Sequence, residues 1–238
     1  MLGAIEARLG PLPGPMRAAF LAVDRVRFVR PCDRAVAYQG WPLPLDTPHG
    51  EKVPPVAELL ARHGTWERAL FAPEFRAAGA TVSAPLMYAL SFHLLGLAEG
   101  QRMLELGSGT GYGAALAAHI VGRSGRVTSV EVDPHLVRVA RALNQDLPQV
   151  QVLHADGLAR ADLAATHDRV WLTFSVAEIP RLLVEALPEG AVLLAPVGPP
   201  PPSPQRLLRF ERAGGALVEK EIPIPVWFLA ARGLIEDR

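Results

Sequence analysis

The stretch MLELGSGTGYGAALAA, from Met103 to Ala118, constrains the fold of this chain more than any other part of it. Met103, Leu104 and Leu106 form a short apolar run that suits a buried strand. Gly107, Gly109 and Gly111 follow at alternate positions. Glycine there lets the backbone turn sharply and approach a ligand closely. Alanine, the best helix former, dominates the residues that follow. A glycine turn feeding a helix N-terminus is a nucleotide-ligand site in many α/β folds.

The spacing narrows the ligand. A dinucleotide fingerprint needs G-x-G-x-x-G, but Tyr112 stands where its last glycine would fall, and the third glycine is Gly111. Glu105 stands two residues before the first glycine. A carboxylate is poorly placed beside a pyrophosphate and well placed beside a cation. S-adenosylmethionine (SAM) carries an ammonium and a sulfonium and no phosphate. The E-x-G-x-G-x-G pattern resembles motif I of the class I SAM-dependent methyltransferases. That resemblance implies a SAM site built from Glu105, Gly107, Ser108, Gly109, Thr110 and Gly111, with Glu105 and the turn facing the methionine part. The alternative is an ordinary strand-turn-helix with glycines for packing.

The rest of the chain is consistent with such a fold. Strand patterns at Arg126 to Val132, Val150 to Leu153, Arg169 to Thr173 and Gly190 to Pro196 alternate with helical ones. Asp133 and Pro134 open the helix DPHLVRVARALNQ as cap and first turn. Leu207 to Arg212 and Leu217 to Leu229 read as an antiparallel pair around Ala213-Gly214-Gly215. The fold class is therefore α/β, Rossmann-like. A mostly parallel sheet has helices on both faces and a C-terminal antiparallel strand pair. Residues 1–80 read as an N-terminal helical and wrapping segment, with an insertion at about 46–80. Residues 81–238 read as the SAM-dependent methyltransferase domain.

Within the first part, prolines at 11, 13 and 15 interrupt one short helix or two. Val23 to Leu45 has no period and is expected to wrap over the domain. Asp46 to Gly50 is a turn cluster. Leu59, Leu60, Trp66, Leu70 and Phe71 give the insertion apolar faces to bury against the domain.

Composition excludes several function classes. Basic and acidic residues number 24 each, so net charge is zero and no nucleic-acid footprint is expected. Cys32 is the only cysteine, and the seven histidines form no ligand-like cluster, so no metal site is expected. No apolar run reaches the roughly 18 residues of a membrane span. With no signal-like N-terminus either, a cytoplasmic protein is expected.

Two further acids follow the glycine motif. Glu131 ends the second strand, where a carboxylate can accept both hydroxyls of a ribose. Asp156-Gly157 follows the third strand, where an aspartate can accept from an adenine amino group and a glycine allows close approach. The bland alternatives are a surface acid and a polar turn. Ser83 precedes Pro85 at a helix start and is either a cap or a hydroxyl aimed at the reacting centre.

Taken together, the chain resembles the protein-L-isoaspartate O-methyltransferase family from about Val23 onward. FVRP and AYQGWPLPL look like its N-terminal segment, TVSAP like its T-I-S-x-P motif and VEVDPHLV like its ribose segment. HADG looks like its G-D-G segment and IPVWFLAARG like its C-terminal P-V-R-F-V-P-L strand. The resemblance implies carboxyl methylation of L-isoaspartyl residues in damaged proteins, with Ser83 at the catalytic centre and SAM as methyl donor. Its partners would be isoaspartyl proteins or peptides, or else a small-molecule acceptor. Two other readings stay open: a related SAM enzyme with another acceptor, and a SAM-binding module without turnover.

There are three departures: the last two fall where the family binds substrate, and the first, an insertion between motifs that border the family's cleft, is expected to act as a lid or wall. About 35 residues separate WPLPL from TVSAP. Leu86, Met87 and Tyr88 stand where a histidine is usual. Thr173 to Ala177 replaces a G-A-A-A-P-like loop.

Overall fold

A computed structural model describes residues 1–47 and 51–233. Two helices open the chain, α1 (Leu2–Leu9) and α2 (Gly14–Ala22). Pro15 lies in the first turn of α2, where its missing N–H leaves no helical bond unmade. The stretch from Val23 folds as two 3-10 turns, Arg25–Phe28 and Pro31–Val36, and a strand, β1 (Leu43–Leu45). Three helices follow, α3 (Val56–His63), α4 (Trp66–Leu70) and α5 (Pro73–Arg76). Strand β2 (Ala80–Val82) then pairs antiparallel with β1, placing Ala80 opposite Leu45. This pairing closes the excursion between the two strands at its base. Of the turn expected at Asp46 to Gly50, the residues from Pro48 onward lie outside the described residues.

The excursion packs differently from the expectation. Val53, Leu59, Ala69, Phe75 and Ala78 bury against one another in a small core of their own. Leu60 and Trp66 reach the main core, and Trp66 stacks on Trp41 with ring centroids 5.4 Å apart. Phe71 stays 39% exposed. The reason is at the base, where Arg30 is fully engaged. It pairs with Asp33 and Asp46 and donates to the Val53 and Pro54 carbonyls. Asp33 also accepts from the Val56 N–H at 2.8 Å, capping α3 from a distant segment.

The remaining elements alternate: α6 (Pro85–Leu95), β3 (Arg102–Leu106), α7 (Tyr112–Val121), β4 (Arg126–Glu131), α8 (Pro134–Leu143) and β5 (Val150–His154). After these come α9 (Ala161–Ala164), β6 (Arg169–Leu172), α10 (Arg181–Glu185), β7 (Val192–Val197), β8 (Gln205–Ala213) and β9 (Ala216–Val226). The sheet order is β5-β4-β3-β6-β7-β8-β9. The first five strands run parallel and the last two pair antiparallel.

Period-two alternation sends side chains to two cores. Met103, Trp171, Val192 and Leu194 share one core with α6 and α7. Leu104, Leu106, Val170, Leu172 and Leu193 share the other with α9 and α10. The doubly wound, mostly parallel sheet with its antiparallel C-terminal pair is the architecture that the alternating sequence implied. Among the described residues, no helix is long and apolar enough to cross a membrane.

Candidate active site

Beside β3 the strand order reverses, with β4 and β5 on one side and β6 and β7 on the other. In open α/β sheets a ligand crevice forms at that switch, off the carboxyl ends of the strands. A cavity of about 700 Å³ lies there. Six of the expected residues border it: Ser83, Gly107, Gly109, Glu131, Asp156 and Gly157. Gly107 and Gly109 have φ of 98° and 53°, so the turn uses conformations that other residues rarely adopt.

Glu131 is buried, and its carboxylate is fixed by backbone donors. Oε2 accepts from the Gly109 N–H at 2.8 Å. Oε1 accepts from the N–H groups of Val132 at 2.9 Å and Asp133 at 3.1 Å. Burial pushes its pKa up, against the pull of those three donors. A carboxylate offers about four acceptor positions, so one remains for a ligand. Asp133 is spoken for as the cap of α8, accepting from the His135 N–H at 2.8 Å.

Asp156 uses Oδ1 to accept from the Leu158 N–H at 3.0 Å. Gly157 is needed for packing: a Cβ there would lie 2.8 Å from Cδ2 of Leu106 in the central strand. Ser83 does not cap α6; the cap position is Ala84, without a side-chain bond. Its hydroxyl is therefore not committed to helix capping, and the residue stands at the cavity wall.

The other four expected residues lie behind the turn and do not border the cavity. Glu105 is 1% exposed and lies beneath the start of α7. Ser129, opposite it on β4, donates to its carboxyl at 2.5 Å, and Ser108 bonds Ser129 at 2.6 Å. Burial pushes Glu105 up to about 8. Thr110 donates to the Phe28 carbonyl at 2.8 Å, tying the turn to the wrapping segment. Gly111 caps α7, and its carbonyl accepts from the Asn144 side chain at 3.2 Å.

The insertion is anchored between two motifs that border the substrate cleft in the family, which makes it an expected wall; the contribution of α1 was not foreseen. Helix α1 contributes Ile5 and Arg8, and the excursion contributes Leu70, Phe71, Phe75 and Arg76. Phe71 meets Trp227, just past β9, edge to face with centroids 6.0 Å apart. Trp227 is held in turn by a 3.0 Å bond from its indole N–H to the Pro202 carbonyl. The substituted positions Leu86, Met87, Thr173 and Phe174 also border the cavity, whereas Tyr88 is buried among Tyr112, Phe92 and Trp171.

The donor set fits a nucleoside carrying a cation. The strand ends supply two carboxylates, two glycine turns and the apolar Val130 and Ala155. They supply no cationic side chain of the kind that grips a pyrophosphate. Among the described residues no cluster of three or more histidine, cysteine or acidic side chains could hold a metal.

Known proteins share this fold and part of this sequence. The family model for protein-L-isoaspartate(D-aspartate) O-methyltransferase matches residues 65–234. The protein-L-isoaspartate O-methyltransferase 2 of Archaeoglobus fulgidus is 38% identical over 157 residues, 65% of this chain and 70% of that protein. The Methanococcus maripaludis protein-L-isoaspartate O-methyltransferase is 36% identical over 146 residues, 60% of this chain and 68% of that protein. A solved protein-L-isoaspartate O-methyltransferase superposes with TM-score 0.76 at 24% identity, over 98% of this chain and 65% of that one. A Plasmodium falciparum protein assigned to the same class, in complex with S-adenosyl-L-homocysteine, gives 0.72 at 19% identity, over 97% and 96%. The matched residues include every strand of the seven-stranded sheet and the TVSAP segment, and the chain belongs to the protein-L-isoaspartate(D-aspartate) O-methyltransferase family of SAM-dependent methyltransferases.

Proposed function

We propose that this chain methylates the free carboxylate of L-isoaspartyl residues in damaged proteins and peptides, the first step of their repair. The observation that carries the reading is one cavity bordered at once by the glycine turn and by Ser83 of TVSAP. When bound, SAM supplies a methyl group on a sulfonium that leaves as a neutral thioether.

The chain's own residues have a positioning task. Glu131, pinned by three N–H groups, would accept from a ribose hydroxyl through its remaining position, and Asp156 from the adenine amino group. The Gly107–Gly109 turn borders the methionine part. Glu105 supports that turn from behind. An acceptor carboxylate is already ionised at neutral pH, so no general base is required. The protein must align donor and acceptor and exclude water. Ser83 can donate a hydrogen bond to the acceptor's non-reacting oxygen and hold its orientation. The apolar walls Leu86, Met87, Phe174 and Trp227 keep the reacting end dry.

The test is labelled-methyl transfer from SAM to an isoaspartyl peptide beside its aspartyl control. Label in the first and not the second supports the reading. Label in neither, with SAM bound, overturns it. Leu86, Met87, Thr173 and Phe174 at the wall favour a second reading, a SAM enzyme with a different carboxylate acceptor. A screen of small carboxylic acids in the same assay separates the two.

A further inference from the structure

The cavity continues beyond the strand ends, and its charge changes as it does so. Among the described residues three arginines border it: Arg8 from α1, Arg76 from α5 and Arg232 from the segment after β9. They are far apart in sequence and converge on one space. Among the described residues the side chain of none of the three forms an ion pair or hydrogen bond, whereas those of Arg17, Arg30, Arg62, Arg102, Arg206 and Arg209 pair with acids. Away from the strand ends, Glu67 is the one acid among the described residues that borders the cavity.

Arg232 has a prepared seat. Gly79 ends the excursion and does not have a positive φ, so its backbone does not demand glycine. A Cβ there would collide with the Arg232 guanidinium, 2.6 Å from Nη2 and 2.9 Å from Cζ. The missing side chain makes room for that guanidinium. Arg76 lies three residues upstream, on the last helix of the same excursion.

A cleft lined by one sign of charge concentrates ligands of the other sign, most strongly between low-dielectric walls. Here the walls are Phe71, Phe75 and Trp227. Guanidinium groups match carboxylates in shape and donor geometry. From these observations we propose that Arg76 and Arg232, with Arg8, form an acceptor subsite for acidic peptide segments. It binds carboxylates flanking the one that is methylated. The inference rests on the isoaspartyl reading above and adds a preference within it. The excursion thereby sets which damaged sites are served, because it supplies both Arg76 and the seat of Arg232.

The experiment compares three isoaspartyl peptides of equal length whose flanking residues are Glu, Gln or Lys. The readout is the ratio of kcat/KM between the Glu and Lys peptides within each enzyme, so any loss of folded protein cancels. The native chain should favour the Glu peptide by about tenfold, chiefly through KM, and lose the preference as salt rises. The double variant Arg76→Glu, Arg232→Glu should abolish or invert the ratio. Gly79→Ala, which displaces only the Arg232 guanidinium, should reduce it partway. A native ratio near one, or a ratio untouched by the double variant, overturns the subsite. Should no peptide be methylated, the isoaspartyl reading fails by itself. Fluorescence anisotropy of the same three labelled peptides then decides the subsite, which stands only if the Glu peptide binds tighter and the double variant removes the difference.

Discussion

The guanidinium of Arg25 donates to the backbone carbonyl of Ser83 at 3.1 Å. Arg25 is completely buried and burial lowers its pKa; Nε has no partner among the described residues, while both terminal nitrogens find carbonyl acceptors. Nη2 also donates to the Trp41 carbonyl at 2.8 Å and Nη1 to the Ala37 carbonyl, and the group lies 5.9 Å from the Tyr112 ring centroid. Burying a cation is tolerable only when its donors find acceptors. One side chain thus joins the wrapping segment to the TVSAP loop. Arg25→Ala leaves several buried carbonyls without donors and should cost at least about 2 kcal/mol. Arg25→Lys keeps the charge with fewer directed donors and should recover only part of that loss. Urea unfolding of the three proteins checks this; equal midpoints would remove Arg25 from its structural role.

Ser83 itself gives a cleaner test than the sequence allowed. Since Ala84 holds the cap position of α6 and no side-chain cap is made, Ser83→Ala should leave thermal stability almost unchanged. Turnover should fall while SAM affinity stays. Retained turnover in the variant would rule out a role for the hydroxyl at the acceptor.

Glu131→Ala should weaken SAM binding by about 1–3 kcal/mol, the scale of losing charge-assisted hydrogen bonds. It also strips acceptors from the Gly109, Val132 and Asp133 N–H groups, so the turn should loosen. Glu131→Gln keeps one carbonyl acceptor and should fall between. Calorimetry that finds native affinity in both variants would displace Glu131 from the ribose.

Glu105 predicts a pH dependence of stability. Burial raises it from 4.5 to about 8 in the folded chain. Between those values the folded state holds the proton and the unfolded chain has released it. Stability from this group is therefore greatest at the acid end and is lost as pH rises through the window. Glu105→Gln removes the titration, so the variant should gain on the native protein as pH rises. Denaturant curves across the window that stay parallel would place the charge elsewhere.

Much of this was legible because period and punctuation dictate it. Alternating apolar runs set the sheet, and Asp133-Pro134 set the start of α8. The acids at the ends of β4 and β5 were placed at the cavity by strand order alone. What sequence could not give depends on distant segments meeting. Glu105 reads as a ligand-facing acid by spacing, but strand parity turns it into the face beneath α7, opposite Ser129. Gly157 reads as room for a ligand and is room for Leu106. Arg25 carries no local pattern at all; its partners are 12 to 58 residues away.

The excursion from Asp46 to Gly79 gives the last prediction. Its base is closed by the β1–β2 pairing, with Leu45 opposite Ala80, and its centre is a core of its own. Leu60, Trp66 and the partners of buried Arg30 and Asp33 tie it to the main body, so removal should cost stability while leaving the pairings of the seven-stranded sheet in place. Its outer edge reaches across to Trp227 through Phe71, where both rings remain well exposed at 39% and 46%. An edge-to-face pair is worth about 0.5–1.5 kcal/mol, small enough to open when an acceptor enters. Joining Leu45 to Ala80 by a short glycine linker should therefore preserve SAM binding and widen the range of acceptors. Phe71→Ala should do the same in smaller measure, raising the rate with bulky peptides more than with short ones. Kinetics across a length series of isoaspartyl peptides checks both. If the deletion variant binds SAM and its peptide-length profile matches the native one, the excursion is not the wall that limits entry.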